Sequence, residues 1–331
     1  MFQSHPILWL QQFSAPWFDA LMRLLSWVGE EWFYIPAVLI LVFGTRLRPG
    51  MGVLLALLLV GFATEGFKQG FGLPRPSEVD AQVLYKGESG RHLVADGAAD
   101  SFWGLPSDDA IAAKRATPDP SFGFVSGHTS AATALALGLA LFFGARRRWV
   151  WALAVAWPLL MGLSRMYLGR HFLADVLGGL AVGLAGVLLA RALMHGFQAP
   201  WPRARRTWMA AFGGVCMLAI GALWVPWIDP AIAGDLAGVL LCIGALTRFG
   251  WPDGDTGWLR RVARVLVGLA SGYAAIWLLE SAYAATGWPD RHAGAFVFGV
   301  GGFTAALLGA VFACRLLGLY GPPPADGTAG G

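Results

Sequence analysis

Long apolar stretches separated by short polar connections run through most of the chain. A helix needs about 20 mostly apolar residues to cross a bilayer. Residues 6–29 also form a helical pattern, but polar side chains interrupt it. This segment therefore either spans the membrane or lies in its interface. The predicted fold is all-α, a polytopic integral membrane helical bundle. The apolar stretches predict nine membrane helices, at roughly 31–45, 50–70, 127–145, 149–166, 172–192, 208–226, 231–248, 262–284 and 293–314.

Arginine clusters fall in every second connection between these stretches. Short loops rich in Lys or Arg stay in the cytoplasm. The alternation therefore predicts that the 71–125 loop and the 167–171 turn face the opposite, outer side of the membrane. The clusters that carry this prediction are Arg46 with Arg48, Arg146 to Arg148, Arg203 with Arg205 and Arg206, Arg248 with Arg260, Arg261 and Arg264, and finally Arg315.

Composition supports the bilayer environment and excludes some functions. Only 13% of the residues are charged, against about 25% in a soluble globular protein. No basic run is interleaved with aromatic residues on a polar surface, so no nucleic-acid partner is predicted. Residues 1–15 lack the features of a removable signal peptide. The cysteines lie in apolar stretches without metal-ligand spacing and are predicted to be packing residues: Cys216, Cys242 and Cys314.

The long 71–125 loop begins with the first of three polar patches. Lys68 stands at the outer end of the 50–70 helix, and Arg75-Pro76 follows it. An ammonium and a planar guanidinium together suit phosphate oxygens. The alternative is a Lys at a helix end and an Arg in a loop. Glu65, one helical turn before Lys68, is interpreted as its ion-pair partner.

The second patch opens the 127–145 helix. Ser126 is a predicted N-cap, and Gly127 lets other groups approach the backbone closely. The free amides and the positive dipole end of a helix start favour an anion. His128 would then stand beside that anion, although an ordinary capped helix with an interfacial His would show the same residues.

The third patch crosses the outer turn after the 149–166 helix. It contains Ser164-Arg165, then Arg170-His171, and finally Asp175. Residues four apart share one face of a helix, so the Asp175 carboxylate can hold one nitrogen of His171. An imidazole oriented in this way is a competent nucleophile. A structural His–Asp pair is the alternative.

These three patches together resemble the type 2 phosphatidic acid phosphatase superfamily, which includes lipid phosphate phosphatases and vanadium haloperoxidases. The superfamily signature is K-x6-R-P, P-S-G-H and S-R-x5-H-x3-D. The spacing and the order both match, except that Val125 replaces the proline of the second motif. The resemblance covers roughly residues 1–200, where the family core has six helices, and this favours the 6–29 segment as the first of the six.

The resemblance implies hydrolysis of a terminal phosphate from a lipid phosphate or isoprenyl diphosphate through a phosphohistidine, without a metal or another cofactor. His171 would attack phosphorus, Asp175 would orient His171, and His128 would protonate the leaving alkoxide. The expected location is a bacterial inner (cell) membrane, with the site on the outer, periplasmic face. Membrane lipids are expected partners, and a homo-oligomer is left open. The residues implied to bind the substrate phosphate are Lys68, Arg75, Ser126, Gly127 and Arg165.

The chain is predicted to divide into a phosphatase core over 1–200, with the outer loop 71–125, and an extension over 201–331 of unknown role. The extension would add about three to four transmembrane helices. Asp235 and Glu280 lie inside its apolar segments, where ionisable groups are costly and often functional. They suggest the main alternative, a lipid flippase or transporter, although helix–helix pairing would explain them equally well. A catalytically inactive scaffold is a third alternative.

Overall fold

The computed structural model describes residues 1–86, 93–118, 120–197, 203–225, 228–254, 256–286 and 291–321. Over these residues the chain is helical, and its β structure is one isolated bridge between Asp253 and Gly321. The helices are α1 (His5–Gln11), α2 (Pro16–Val28), α3 (Glu31–Gly44), α4 (Leu47–Phe71), α5 (Pro76–Val79), α6 (Asp108–Arg115), α7 (Gly127–Phe142), α8 (Arg148–Tyr167), α9 (Leu173–Phe197), α10 (Arg203–Trp224), α11 (Pro230–Phe249), α12 (Trp258–Thr286) and α13 (Arg291–Leu316).

All nine predicted membrane stretches form helices. Among the described residues, six helices are long and apolar enough to cross a membrane, namely α4, α8, α9, α11, α12 and α13. Two shorter apolar helices, Gly127–Phe142 and Trp208–Ala222, lie within the predicted 127–145 and 208–226 stretches. The polytopic all-α fold predicted from the apolar pattern is confirmed.

The 6–29 pattern forms two helices rather than one. The chain leaves the helical conformation after α1, and α2 begins at Pro16, a residue that is favourable in the first turn because its missing amide hydrogen has no helical partner there. Pro16–Val28 and Trp32–Gly44 are bent by 51° at the short break between them, and together they are apolar enough to form one broken span.

Contacts divide the described chain into two units. The first unit contains residues 1–34 and 63–187, and the second contains 35–62 and 188–331. In the second unit α3 packs against α12, where a side chain added at Gly44 would meet Val265 at 3.1 Å. Residues 35–62 therefore group with the C-terminal helices, which differs from a division at residue 200. The functional division into core and extension stays a prediction.

A fully buried arginine organises part of the second unit. Arg264 of α12 is 0% exposed. Its guanidinium donates to the carbonyl oxygens of Phe43, Gly254 and Leu319, at 2.9, 3.0 and 3.3 Å, and lies 4.8 Å from the ring centre of Tyr320. A guanidinium has five N–H donors, so this shell satisfies most of them. Arg264 was counted in a basic loop cluster, but here it is an internal structural residue.

Glycines bring α7 and α9 of the first unit close together. A side chain at Gly179 would meet the Ser126 carbonyl oxygen at 2.7 Å, and one at Gly183 would meet the Ser130 carbonyl oxygen at 2.7 Å. Small residues let helix backbones approach in this way inside a membrane. Gly178 makes room for the Val125 side chain in the same manner, at 2.7 Å. The close approach fixes the start of α7 against the first turns of α9.

The described part of the 71–125 loop is folded. It contains α5 and α6, and its apolar side chains join an apolar cluster with the N-terminal residues and the start of α9. Buried members include Phe2, Val79, Ala110 and Phe172. This packing holds the loop over the end of the first unit where the third sequence patch lies.

The acidic residues of the extension have different surroundings. Asp235 lies on α11 against α13, where a side chain at Gly299 would meet the Asp235 carboxylate at 3.0 Å. This placement is that of a residue at a helix–helix contact. The Glu280 side chain is outside the described residues.

Candidate active site

The third sequence patch forms a tight turn that presents His171. Helix α8 ends with Gly169 at φ +71°, a conformation that glycine adopts without steric cost. The Arg170 amide donates to the Arg165 carbonyl oxygen at 3.0 Å, and the Gly169 amide donates to the Met166 carbonyl oxygen at 2.9 Å, which is the Schellman pattern. The cap satisfies the last carbonyls of α8 and places His171 directly before α9.

Asp175 holds His171 from the first turn of α9. The His171 Nδ1 lies 3.3 Å from the Asp175 Oδ2, and the same oxygen accepts the Phe172 amide at 2.8 Å. His171 is 3% exposed and Asp175 is 0% exposed. The pair predicted from the four-residue spacing is therefore formed and buried. With Nδ1 facing the carboxylate, the Nε2 side of the ring is left to face other groups.

Positive charges converge on His171. Burial is the main cause that lowers the pKa of His171 well below its ordinary value, and the charges of Arg75 and Arg165 lower it further. His128 and Lys68 act in the same direction. All of these residues come from the three sequence patches. The structure thus brings the patches together around an imidazole that stays neutral.

The second patch is built on the start of α7. The Ser126 hydroxyl accepts the Thr129 amide at 3.4 Å, which is the predicted N-cap. The Ser126 amide donates to the Asp175 carbonyl oxygen at 2.9 Å, so the start of α7 is tied directly to the His171–Asp175 pair. Ser126 is fully buried, with its hydroxyl 3.0 Å from the hydroxyl of Thr129.

Lys68 reaches the same helix start from the end of α4. A Cβ added at Gly127 would lie 3.8 Å from the Lys68 Nζ, an ordinary van der Waals distance, so the ammonium stands next to the first residue of α7. The Lys68 Nζ also lies 3.5 Å from the Glu65 carboxylate, the ion pair expected from their spacing. Because that distance is long for a charge-assisted hydrogen bond, Lys68 has capacity for a second anion.

Arg75 is anchored at one edge and open at the other. Its Nη2 donates to the Ser121 hydroxyl at 2.8 Å, and its backbone amide donates to the Glu78 carboxylate at 2.8 Å. Its Nη1 is buried and has no hydrogen-bond partner among the described residues. A buried donor without a partner is unusual in a folded protein and points to an absent ligand or water.

Arg165 and Arg170 repeat this arrangement. Arg165, 4% exposed, donates from Nη1 to the Ser26 hydroxyl of α2, while its Nε has no partner within the described chain. The Arg170 guanidinium lies 4.9 Å from the ring centre of Tyr85, and its Nε is also buried without a partner there. Arg170 was noted only as a neighbour in the sequence; the structure shows that it has an open donor beside the site.

His128 faces a residue that the sequence analysis did not single out. Its Nε2 lies 3.2 Å from the Glu30 carboxylate, at the break between α2 and α3. The hydrogen bond to His128 holds the pKa of the Glu30 carboxyl below its usual value. The sequence signal was present, since Glu30 and Glu31 are adjacent acids between two apolar helices, but spacing alone could not pair Glu30 with a residue about a hundred positions later.

The described residues contain no group of three or more His, Cys, Asp or Glu side chains arranged to hold a metal ion. Metal independence stays a prediction.

The family model of the PAP2 superfamily matches residues 49–199. Phosphatidylglycerophosphatase B of Bacillus subtilis (strain 168) is 37% identical over 73 residues, which are 20% of this chain and 36% of that relative. The chain thus spans about a third of the length of this curated relative. The crystal structure of Aquifex aeolicus LpxE aligns with a TM-score of 0.45 and 19% identity, covering 58% of this chain and 96% of that chain.

The matched residues 49–199 contain all three sequence patches and the buried His171–Asp175 pair. Over this segment, the chain is similar to the PAP2 superfamily.

Proposed function

We propose that the protein is a metal-independent lipid phosphate phosphatase that works through a phosphohistidine at His171. The observation that carries the proposal is the convergence of Arg75 and Arg165 on the neutral imidazole of His171, since each guanidinium has a buried donor without a partner among the described residues. Phosphoryl transfer needs mainly positioning and charge stabilisation. A site rich in fixed cations supplies both.

The first chemical step follows from the orientation of His171. With the proton on Nδ1 directed to Asp175, the Nε2 lone pair attacks phosphorus while the bond from phosphorus to the lipid oxygen breaks. The leaving oxygen takes a proton from His128. Lys68, Arg75 and Arg165, with the Ser126 hydroxyl and the Gly127 amide, hold the phosphoryl oxygens.

The second step returns the enzyme to its starting state. Water gives a proton to His128 and attacks phosphorus, and the bond between phosphorus and Nε2 breaks to release inorganic phosphate. Asp175 keeps its hydrogen bond to Nδ1 during both steps, so it stabilises the positive charge that develops on the ring. Protons and electrons balance over the cycle without another reactant.

The substrate is proposed to be a lipid with a terminal phosphate, hydrolysed at the outer face of the cell membrane. The Bacillus relative is a phosphatidylglycerophosphatase, which supports this substrate class. The alternation of Arg clusters supports the outer face. No contact of Asp235 favours the flippase alternative over a helix–helix role.

The test is to trap the phosphoenzyme. Purified protein in detergent is mixed with ³²P-labelled phosphatidic acid or phosphatidylglycerol phosphate in excess chelator and quenched rapidly. We expect a labelled chain whose bond is acid-labile and base-stable, and His171→Ala should remove both label and turnover. Ser107→Ala, on the exposed start of α6, is the matched control. Label on another residue, or turnover that requires added Mg²⁺, would contradict the proposal.

A further inference from the structure

A large cavity opens beside the candidate active site in the first unit. Its volume is about 930 Å³, and its walls come from α2, the segment around Lys86 and the end of α8. Pockets of about 300–1,000 Å³ hold whole small ligands. A single phosphoryl group would fill only a small part of this space. The cavity therefore has room for more of a substrate than its terminal phosphate.

Two arginines connect the cavity to the site. Arg165 and Arg170 both line it, and each has a buried Nε without a hydrogen-bond partner in the described part of the chain. Burial, together with the charge of Arg75, lowers the pKa of Arg170 to about 10, so its guanidinium is still positive at neutral pH. Because Arg165 is already assigned to the scissile phosphate, Arg170 is the cation available for a different anionic group.

The other charged residues of the cavity differ in how far they are already engaged by neighbouring side chains. Lys86 lines the wall, but its Nζ is held by the Asp19 carboxylate at 2.7 Å and the Tyr167 hydroxyl at 2.9 Å. Arg23, on the exposed face of α2, also lines the cavity. Glu30 is the acidic residue of the lining and lies against His128. Arg23 and Arg170 therefore give the cavity more positive charge than is needed to bind one phosphate group.

The other walls are apolar. Trp27 and Trp32 line the cavity, and their rings pack edge to face with centres 4.3 Å apart. Trp27 and Trp32 are 47% and 54% exposed, respectively. Amphipathic indole rings are typical of the membrane–water interface. A ligand that fits this lining has an anionic part near the arginines and an apolar part along the tryptophans.

We propose that this cavity is a subsite for a second phosphoryl group on the leaving-group side of the substrate, recognised by Arg170 and Arg23. The proposal rests on the proposed phosphatase function and narrows it to lipids with two phosphoryl groups. The second group can be joined directly to the scissile one, as in a lipid diphosphate, or be a phosphodiester separated from it by a short alcohol. The shared chemistry is one dianionic terminal phosphate and one further anionic phosphoryl group before the apolar tail.

The test compares three lipids with matched chains: a monophosphate, a diphosphate and a phosphodiester with a terminal phosphate. The wild type should have a kcat/KM about 10-fold or more higher for the two lipids with a second phosphoryl group. Arg170→Gln and Arg23→Gln should lower kcat/KM for those two by about 10-fold to 100-fold, the size of one lost charge-assisted hydrogen bond, and change the monophosphate value less than about 2-fold. Arg206→Gln, an exposed arginine of α10 outside the cavity lining, is the matched control.

Equilibrium binding of the same lipids to the His171→Ala variant separates this proposal from the proposed function. Tighter binding of both lipids with two phosphoryl groups, lost in Arg170→Gln, supports the subsite. This conclusion holds even if the wild type hydrolyses none of the lipids, because the lack of hydrolysis would overturn only the proposed function. A stronger effect on the diphosphate or on the phosphodiester identifies which spacing the subsite fits. Equal losses on all three lipids, or a wild type that prefers the monophosphate, would overturn the subsite.

Discussion

The ring of His171 is fixed from two sides. Asp175 lies 3.3 Å from Nδ1, and the cap that ends α8 holds the backbone just before the ring. His128, by contrast, belongs to the first turn of α7 and faces Glu30 across a partly exposed contact. The two histidines therefore have different environments, which agrees with one acting as a nucleophile and the other as an acid.

Removal of His128 should affect substrates according to their leaving group. A leaving-group acid contributes about 10²-fold to 10⁴-fold in rate. We expect His128→Ala to lose activity in this range on an alkyl phosphate and much less on an aryl phosphate, whose oxygen leaves without a proton. Steady-state kcat over a series of leaving groups measures the effect. An equal loss for all leaving groups would place His128 in substrate binding instead.

The neutral state of His171 should be visible in the pH dependence of stability. Because its folded pKa lies well below the ordinary value, the unfolded chain binds a proton that the folded chain does not as the pH falls below about 6.5. Above that pH, His171 does not change the free energy of unfolding. Below it, the free energy of unfolding decreases by about 1.4 kcal/mol per pH unit until the pKa of His171 in the folded protein is reached.

This decrease is measured against the variant His171→Asn, which has no ring to protonate. Unfolding free energies in mixed micelles at pH 7.5 and pH 5.5 should show the protein with His171 losing about 1.4 kcal/mol more than the variant. Both proteins carry Asp175→Asn, so the carboxyl that contacts position 171 does not titrate, and groups elsewhere in the chain cancel in the comparison. Parallel behaviour of the two proteins would mean that His171 is protonated in the folded state.

At the scale of helices, the site depends on how closely α7 and α9 approach. A Cβ at Gly179 would lie 2.7 Å from the Ser126 carbonyl oxygen, a distance at which backbone must move. Gly179→Ala should therefore shift the start of α7 away from Asp175. We expect a loss of kcat of about 10-fold or more with the protein still folded, because small displacements of catalytic groups have large effects.

Gly70→Ala is the matched control for this prediction. Gly70 lies in α4, where an added Cβ meets nothing within 4 Å. Alanine is favoured over glycine in a helix by about 1 kcal/mol, so this variant should keep full activity and gain slightly in stability. Phosphatase rates and thermal unfolding of both variants provide the comparison. Full activity of Gly179→Ala would show that the helix contact does not position Ser126.

The helices themselves were largely predictable from the sequence. The 50–70 stretch became α4 (Leu47–Phe71) and the 172–192 stretch became α9 (Leu173–Phe197), because continuous apolar runs have few other ways to satisfy their backbone. The end of α1 is held by contacts that the sequence does not reveal, because the Gln11 amide donates to the carbonyl oxygens of Leu84 and Tyr167 at 2.7 and 2.9 Å. Such long-range partners leave no periodic signal.

Only the local contacts of the candidate site were predictable from the sequence. The His171–Asp175 pair and the Ser126 cap are local, so spacing was sufficient for them. The pairing of His128 with Glu30 and the open donor of Arg170 depend on how the end of α2 meets the start of α7 and the end of α8. Patterns along the chain report local structure, and these contacts are made only when distant helices meet.

For the whole molecule, the predicted orientation in the membrane places the site on the outer face. Single cysteines at positions 107, 147 and 205 test it in a background where Cys216, Cys242 and Cys314 are replaced by alanine. A membrane-impermeant maleimide added to intact cells should label position 107, and should reach positions 147 and 205 only after the membrane is opened. Labelling of 147 from outside would reverse the topology and the proposed face of catalysis.

The shell around Arg264 has a consequence for the order of events during biosynthesis. Phe43 is made more than two hundred residues before Arg264, while Leu319 is made 55 residues after it. A ribosome therefore delivers the last carbonyl partner, and the stacking ring of Tyr320, only when every helix from α3 to α13 has already been synthesised. Until then, one N–H donor of the Arg264 guanidinium lacks its final acceptor, although the residue lies in an apolar helix. Residues 319 and 320 thus complete the shell around Arg264 only after α13 has been synthesised.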